Sequence, residues 1–177
     1  MKVGIIVGST RVGNVGQNIG KWVLTQSKTR KVTYELVNVS DYALPLLGEK
    51  EAKESIQKWN EKINSLDAYI FIAAEYNHSI TGSLKNALDL AGIPTWINKP
   101  AGIVSYGFAG GARAAEHLRT ILGALGVADV QQHVLFNLNT EMSQTEGFKP
   151  ANYQVGLLNK LFDQVESWAV ALKTTRS

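Results

Sequence analysis

The 177-residue sequence contains no cysteine, and that absence removes disulfides, thiolate nucleophiles and cysteine metal sites together. It agrees with a reducing compartment. No apolar run approaches the roughly 20 residues of a membrane span, so none is expected. The chain passes from Met1 straight into an apolar strand, without a basic segment and small-residue cleavage site, and the expected location is cytoplasmic. Histidine is scarce: His78, His117 and His133 are too scattered for a metal motif, and no metal is expected. Neither sign of charge dominates, since the net charge is +3. Lys28, Arg30 and Lys31 read as a solvated helix end, so nucleic acid is not an expected partner. Repeats and low-complexity stretches are also missing, and with 45% hydrophobic residues one domain over 1–177 is expected.

What is present begins with a β-branched run, Val3, Ile5, Ile6 and Val7, followed by the loop Gly8-Ser9-Thr10-Arg11-Val12-Gly13-Asn14 and then Val15, Ile19, Trp22 and Val23 at helical spacing. A loop rich in small and hydroxylated residues points backbone N–H groups at a helix N-terminus, where the macrodipole favours an anion. A Walker A loop needs Lys and Ser/Thr after its last Gly, but Gly13 is followed by Asn14 and Val15; a dinucleotide fingerprint needs Gly two residues after Gly8, where Thr10 stands. What remains suits a terminal monophosphate gripped by the planar fork of Arg11. The same residues also suit a plain turn joining strand to helix.

The rest of the chain alternates strand and helix. Strands are expected over Val32 to Val39, Ala68 to Ala74, Ala101 to Ser105 and Val127 to Phe136. Helices are expected over Glu51 to Leu66, with Ile56, Trp59 and Ile63 buried; after Gly82, on Leu84, Ala87, Leu88 and Ala91; after Gly111, on Ala115, Leu118, Ile121, Leu122 and Leu125; and at the end, on Leu158, Leu161, Val165, Trp168 and Leu172. This pattern predicts an α/β fold, a doubly wound five-stranded parallel sheet. With the least apolar strands outermost, the order is 2-1-3-4-5, and a ligand belongs beyond the carboxyl ends of the first, third and fourth strands. Three loops then converge: Gly8 to Asn18, Glu75 to Ser79, and Ser105 to Gly111. Trp22, Trp59 and Trp168 fall on helical stripes and are expected in the core. Trp96 stands in Pro94-Thr95-Trp96-Ile97-Asn98-Lys99-Pro100, read as a loop, where a tryptophan packs into the core or makes a contact at an interface or over a ligand.

The second loop and the helix after it, Ala74-Glu75-Tyr76-Asn77-His78-Ser79-Ile80-Thr81-Gly82-Ser83-Leu84-Lys85-Asn86-Ala87-Leu88-Asp89, resemble the P-E-Y-N-x-S-x-x-G-x-L-K-N-A-L-D signature of the NADPH-dependent FMN reductase family. These are flavodoxin-like proteins that include quinone, azo-dye and chromate reductases. Ser105-Tyr106-Gly107-Phe108-Ala109-Gly110-Gly111-Ala112-Arg113-Ala114 is similar to the family's S-Y-G-x-x-G-G-x-R-A, and Gly8-Ser9-Thr10-Arg11 to its G-S-x-R. Two departures stand out: Ala74 replaces the usual Pro, and Gly16 stands where many relatives have Ser. A phosphate hydroxyl is then missing, and Gln17, Asn18 or backbone N–H groups are expected to compensate.

The resemblance implies bound FMN, NADPH or NADH as co-substrate, a small-molecule electron acceptor and a homodimer or homotetramer. Ser9 and Arg11, with Gly16, Gln17 and Asn18, would hold the phosphate. Glu75, Tyr76 and Asn77, with Ser79 in the same loop, would line the isoalloxazine. Ser105, Tyr106, Gly107, Gly110 and Gly111 would close on its pyrimidine edge, the glycines bringing backbone N–H groups near the ring. No nucleophile or general base is required, so no catalytic residue is expected. Leu44-Pro45-Leu46-Leu47 forms an apolar segment suited to a subunit contact. Two function classes compete, an NAD(P)H-dependent reductase and a flavodoxin-type electron carrier; a carrier would present an acidic docking face, and the pI near 9.1 favours the enzyme.

Overall fold

The computed structural model describes residues 1–49, 52–143 and 147–176. Five parallel strands form the sheet: β1 (Lys2–Val7), β2 (Thr33–Asn38), β3 (Ala68–Ala74), β4 (Pro100–Gly107) and β5 (Ala128–Asn137), in the order β2-β1-β3-β4-β5. Every residue of β3 and β4 is buried. That is the signature of parallel strands covered on both faces. The two edges are less buried, with Val37 alone buried in β2 and an exposed Gln131 in β5. The expected strand order and edges therefore hold.

Alternation along the strands divides the core in two. Ile6, Tyr69, Phe71, Ala73 and Ile103 face α2 (Lys53–Asn64), α3 (Gly82–Ala91), the short α4 (Ile93–Trp96) and α5 (Ala112–Ala124). Val3, Ile5, Ile70, Ile72, Val104 and Tyr106 face α1 (Val15–Gln26) and α6 (Asn152–Leu172). A small antiparallel pair, β6 (Met142–Ser143) with β7 (Gly147–Phe148), precedes α6. Among the described residues no helix is long and apolar enough to cross a membrane.

Several boundaries and one tryptophan differ from expectation, and the alternatives left open for Trp96 are decided. The second strand ends at Asn38, because Val39 opens a 3-10 turn to Tyr42 and Ala43 takes a left-handed conformation. The expected start of the next helix, Glu51, lies outside the described residues; the helix itself runs Lys53–Asn64. The fourth strand extends to Gly107, two residues past Ser105, and the fifth is displaced by one residue, to Ala128–Asn137. Trp96 is no contact residue: it ends α4, is fully buried, donates its indole N–H to Leu88 O at 3.0 Å and packs on Tyr69 and Phe71. Trp168 is 43% exposed, since Phe162 and Ala169 complete the buried stripe of α6 in its place. Trp59 is in the core, its indole N–H bonded to Ala87 O at 2.8 Å, and Trp22 is half-buried against Phe136.

At the amino ends of the strands, Lys99 is buried, donating Nζ to Ile63 O (3.2 Å) and Asn64 O (3.3 Å), carbonyls at the end of α2. Burial pulls its pKa down to about 8, with nearby Arg176 adding to the effect. Below about pH 8 Lys99 is charged in both the folded and the unfolded chain, and its burial opposes folding in full. From there to its ordinary value of 10.5 the unfolded chain keeps a proton that the folded chain has released, so stability rises with pH. In denaturant titrations between pH 7 and 10.5, wild type is expected to gain on the order of 2 kcal/mol relative to Lys99→Met. A difference that does not change with pH would show that Nζ stays protonated in the folded protein.

Candidate functional site

The carboxyl ends of β1, β3 and β4 carry three loops, each fixed by its own local chemistry. In the first, Asn14 caps α1: its Oδ1 accepts the Gln17 N–H at 3.1 Å, while its Nδ2 donates to Arg11 O at 2.8 Å and Ser9 O at 3.2 Å. One side chain thus closes both the loop and the helix. The loop is tied to α3 through Gly8, whose carbonyl accepts Thr81 Oγ1 at 3.1 Å and Ser83 Oγ at 2.8 Å. A Cβ at Gly8 would stand 2.9 Å from Leu84, so this close approach needs glycine.

In the second loop, Tyr76 and Ser79 exchange backbone hydrogen bonds of 2.9 and 3.0 Å around Asn77 and His78. Both central residues have positive φ, 47° and 69°, which describes a tight primed turn. Glu75 docks this turn on the neighbouring helix: its nearly buried carboxylate accepts Arg113 Nε at 2.6 Å and the Arg113 backbone N–H at 3.2 Å, and its own N–H bonds to Tyr106 O at 2.8 Å. Ser79 Oγ lies 3.1 Å from His117 Nδ1, a second tie to α5.

The third loop turns β4 into α5. Ser105 Oγ donates to Gly110 O at 3.1 Å and the Gly110 N–H to Gly107 O at 3.1 Å. Gly111, with φ +74°, lies so close to β4 that a Cβ would come within 2.5 Å of Tyr106 N and 2.8 Å of Ser105 Cβ.

Between the loops lies a cavity of about 290 Å³. Of the residues expected from sequence, Arg11, Glu75, Tyr76, Tyr106 and Gly107 line it. Ser9 is buried beneath the first loop, and Gly16 packs on the Tyr106 hydroxyl. Gln17, Asn18, Asn77, Ser79, Ser105, Gly110 and Gly111 are not among the lining residues. Ser105 points to the α5 side, where its hydroxyl is used on the turn, and Gly110 spends its N–H on the same turn. Both residues thus hold the turn itself together.

Residues that the sequence did not single out also line the cavity: Gly13, Asn14, Val15, Phe108 and Leu138. Asn14 carried a legible signal, as an Asn preceding an amphipathic helix. Leu138 carried none, because it follows β5 and reaches the site only through its N–H bond to Gly107 O at 3.0 Å.

The site is polar at one end and apolar at the other. Arg11 and the N-terminus of α1, whose first turn has no acidic residue, favour an anion. Tyr76, Phe108 and Leu138 supply apolar surface, and Phe108 is 75% exposed at the rim. Burial pushes the Tyr106 phenol up to about 12, against the opposing pull of the Ser9 side chain, the Gly16 N–H and Arg11. The ionisable side chains among the lining residues are Arg11, Glu75, Tyr76 and Tyr106, and the cavity's form suits a bound group that brings its own chemistry. A larger cavity of about 560 Å³ lies on the other side of the first loop, between Thr10, Leu44, Leu46 and Asn86, and among the described residues no ionisable side chain lines it.

A family model described as NADPH-dependent FMN reductase matches residues 1–141. The chain is 34% identical over 131 residues to an NAD(P)H-dependent FMN reductase of Nectria sp, a match covering 66% of this chain and 65% of that protein. It is 34% identical over 129 residues to an NAD(P)H:quinone oxidoreductase of Solanum tuberosum, covering 68% of this chain and 66% of that one. The match thus spans just under two thirds of the length of each relative. Among solved structures, the flavoenzyme NAD(P)H:(acceptor) oxidoreductase FerB of Paracoccus denitrificans superimposes with a TM-score of 0.78 at 24% identity, covering 94% of this chain and 97% of that one. That likeness establishes the flavodoxin-like fold.

The contacts at Gly111 set a stability test. Gly111→Ala combines positive φ with a clash against backbone and is expected to cost about 3 kcal/mol in urea unfolding. A loss below about 1 kcal/mol would mean that α5 can retreat from β4 without penalty.

Proposed function

Because the chain belongs to the NADPH-dependent FMN reductase family, we propose that it holds FMN between its three loops and, with NADPH or NADH as electron donor, reduces a small acceptor of quinone, flavin, azo or related type. The polarity of the cavity carries this reading: a cationic, dipole-favoured end at Arg11 and α1, and an aromatic and aliphatic end at Tyr76, Phe108 and Leu138. A terminal phosphate fits the first and a flat ring the second. When bound, FMN supplies the redox chemistry, taking hydride from a nicotinamide and passing electrons to the acceptor.

The chain's own residues bind and orient. Arg11 offers a planar fork to a dianionic phosphate, with Ser9 and the first-turn N–H groups of α1 beside it. Asn14 takes the Gln17 N–H on its side chain and so fixes the first turn of α1. Glu75, Tyr76 and Gly107 border the ring region, where the ties of Glu75 to Arg113 and of Ser79 to His117 hold the primed turn still. Asn77 shapes that turn through its positive φ. Preorganised walls of this kind hold donor and ring at reacting distance and exclude water. A homodimer or homotetramer also belongs to this proposal: Leu46 and Leu47 are exposed beside the larger cavity, on a segment that Asn86 anchors through Pro45 O and the Leu47 N–H.

Purified protein is expected to be yellow with one FMN per chain, and Arg11→Ala to weaken FMN at least tenfold more than riboflavin, which lacks the phosphate. Equal losses for the two flavins would remove Arg11 from the phosphate site. In anaerobic stopped flow, NADPH or NADH is expected to bleach the flavin at a catalytically useful rate; if neither does, the electron-carrier alternative takes over. Sedimentation at micromolar concentration is expected to show a dimer or larger, and a fully active monomer would contradict the subunit contact.

A further inference from the structure

Gly16 sits in the first turn of α1, where glycine is costly: a glycine inside a helix loses about 0.5 to 1 kcal/mol relative to alanine. Its backbone does not ask for glycine, since it is absent from the residues of positive φ. The space around it does. A Cβ at this position would stand 2.8 Å from Tyr106 Oη, 3.0 Å from Asn14 Oδ1 and 3.3 Å from Tyr106 Cε1. The phenol of Tyr106 already fills the volume that a side chain at position 16 would take.

Tyr106 reaches that place from β4, with the end of β3 lying between its own strand and β1. Its ring is buried in the core under α1 and α6, and its hydroxyl faces Ser9 and the Gly16 N–H while the residue borders the same cavity as Arg11 and Asn14. Burial keeps the phenol protonated throughout the neutral range, so the hydroxyl beside Gly16 and Ser9 is neutral and able to donate. Its side chain therefore belongs to the anion end of the cavity.

We propose that Tyr106 donates its hydroxyl to the terminal phosphate of FMN, from the position that a side chain at residue 16 would otherwise occupy, and that Gly16 is the residue that admits it. The missing hydroxyl of the first loop is supplied by a tyrosine ninety residues downstream. This rests on the FMN reading above, and its test separates the two. The full chain, freed of flavin, is titrated with FMN and with riboflavin, and quenching of flavin fluorescence reports the affinity. Tyr106→Phe keeps the buried ring and removes one oxygen; FMN affinity is expected to fall roughly tenfold, with riboflavin changed less than about twofold. Gly16→Ser alone is expected to weaken FMN as well, because the new side chain and the phenol compete for one space. In the Tyr106→Phe background the same Gly16→Ser change is expected to restore FMN affinity to within about threefold of wild type, the phenol oxygen having made way. Unchanged FMN binding by Tyr106→Phe, equal losses for FMN and riboflavin, or a double variant no better than Tyr106→Phe would overturn the inference while leaving FMN binding intact. Wild-type protein that fails to bind FMN would overturn the flavin reading, and this inference with it.

Discussion

Everything in this molecule follows from the complete burial of β3. A parallel strand with water on neither face satisfies its backbone only through β1 and β4, and its side chains only through helices on both sides. Tyr69, Phe71 and Ala73 face one helical layer and Ala68, Ile70, Ile72 and Ala74 the other. Those flanking layers leave backbone free for a ligand at the ends of the strands, and the reversal of strand order between β1 and β3 opens a crevice at the carboxyl end.

That crevice keeps its shape because each loop is tied to an element other than its own. The Gly8 carbonyl takes two hydroxyls from the start of α3, so the phosphate-type loop and the helix after the second loop move together. Glu75 reaches α5 through Arg113. With one partner nearly buried and the other about half exposed, the gain from that pair lies chiefly in position. Removing either partner would leave the carboxylate or the turn unsupported. Asn77 and His78, held at positive φ, are strained compared with the Asn-Gly pair that such turns favour, and these ties offset the strain. Rigid walls suit a site whose reactive group is a bound molecule.

The two ends of the sheet use charge differently. At the carboxyl end Arg11 faces a cavity beside a helix N-terminus without acids, an arrangement that attracts anions. At the amino end Lys99 is turned inward onto carbonyls of α2, and Arg176 caps Asp67 through its carbonyl oxygen and carboxylate. The first is left open to a ligand; the second is closed by the fold itself.

Much of this was legible in the sequence. Period-two and period-3.6 runs of apolar residues report which stretches are strands and helices and which strands lie inside, so the order 2-1-3-4-5 and the convergence of three loops followed from pattern alone, and the motifs on those loops pointed to a family. What periodicity cannot report is which particular side chain fills a space shared by distant segments. Trp168 fell on a helical stripe and Trp96 in a stretch read as a loop, yet Trp96 is core and Trp168 lies on the surface, because Phe162 and Ala169 complete the stripe of α6 while a helical turn drops Trp96 between α3 and the sheet. Ser105 and Tyr106 are neighbours in one motif, but the pleat sends one to the α5 layer and the other beneath α1, and only the packed structure shows the Tyr106 hydroxyl beside Gly16. Leu138 reaches the cavity because β5 pairs with β4 at the right register. Local sequence determines the face a residue presents; the contacts made across that face depend on elements far apart in the chain, and these were decided by tertiary packing.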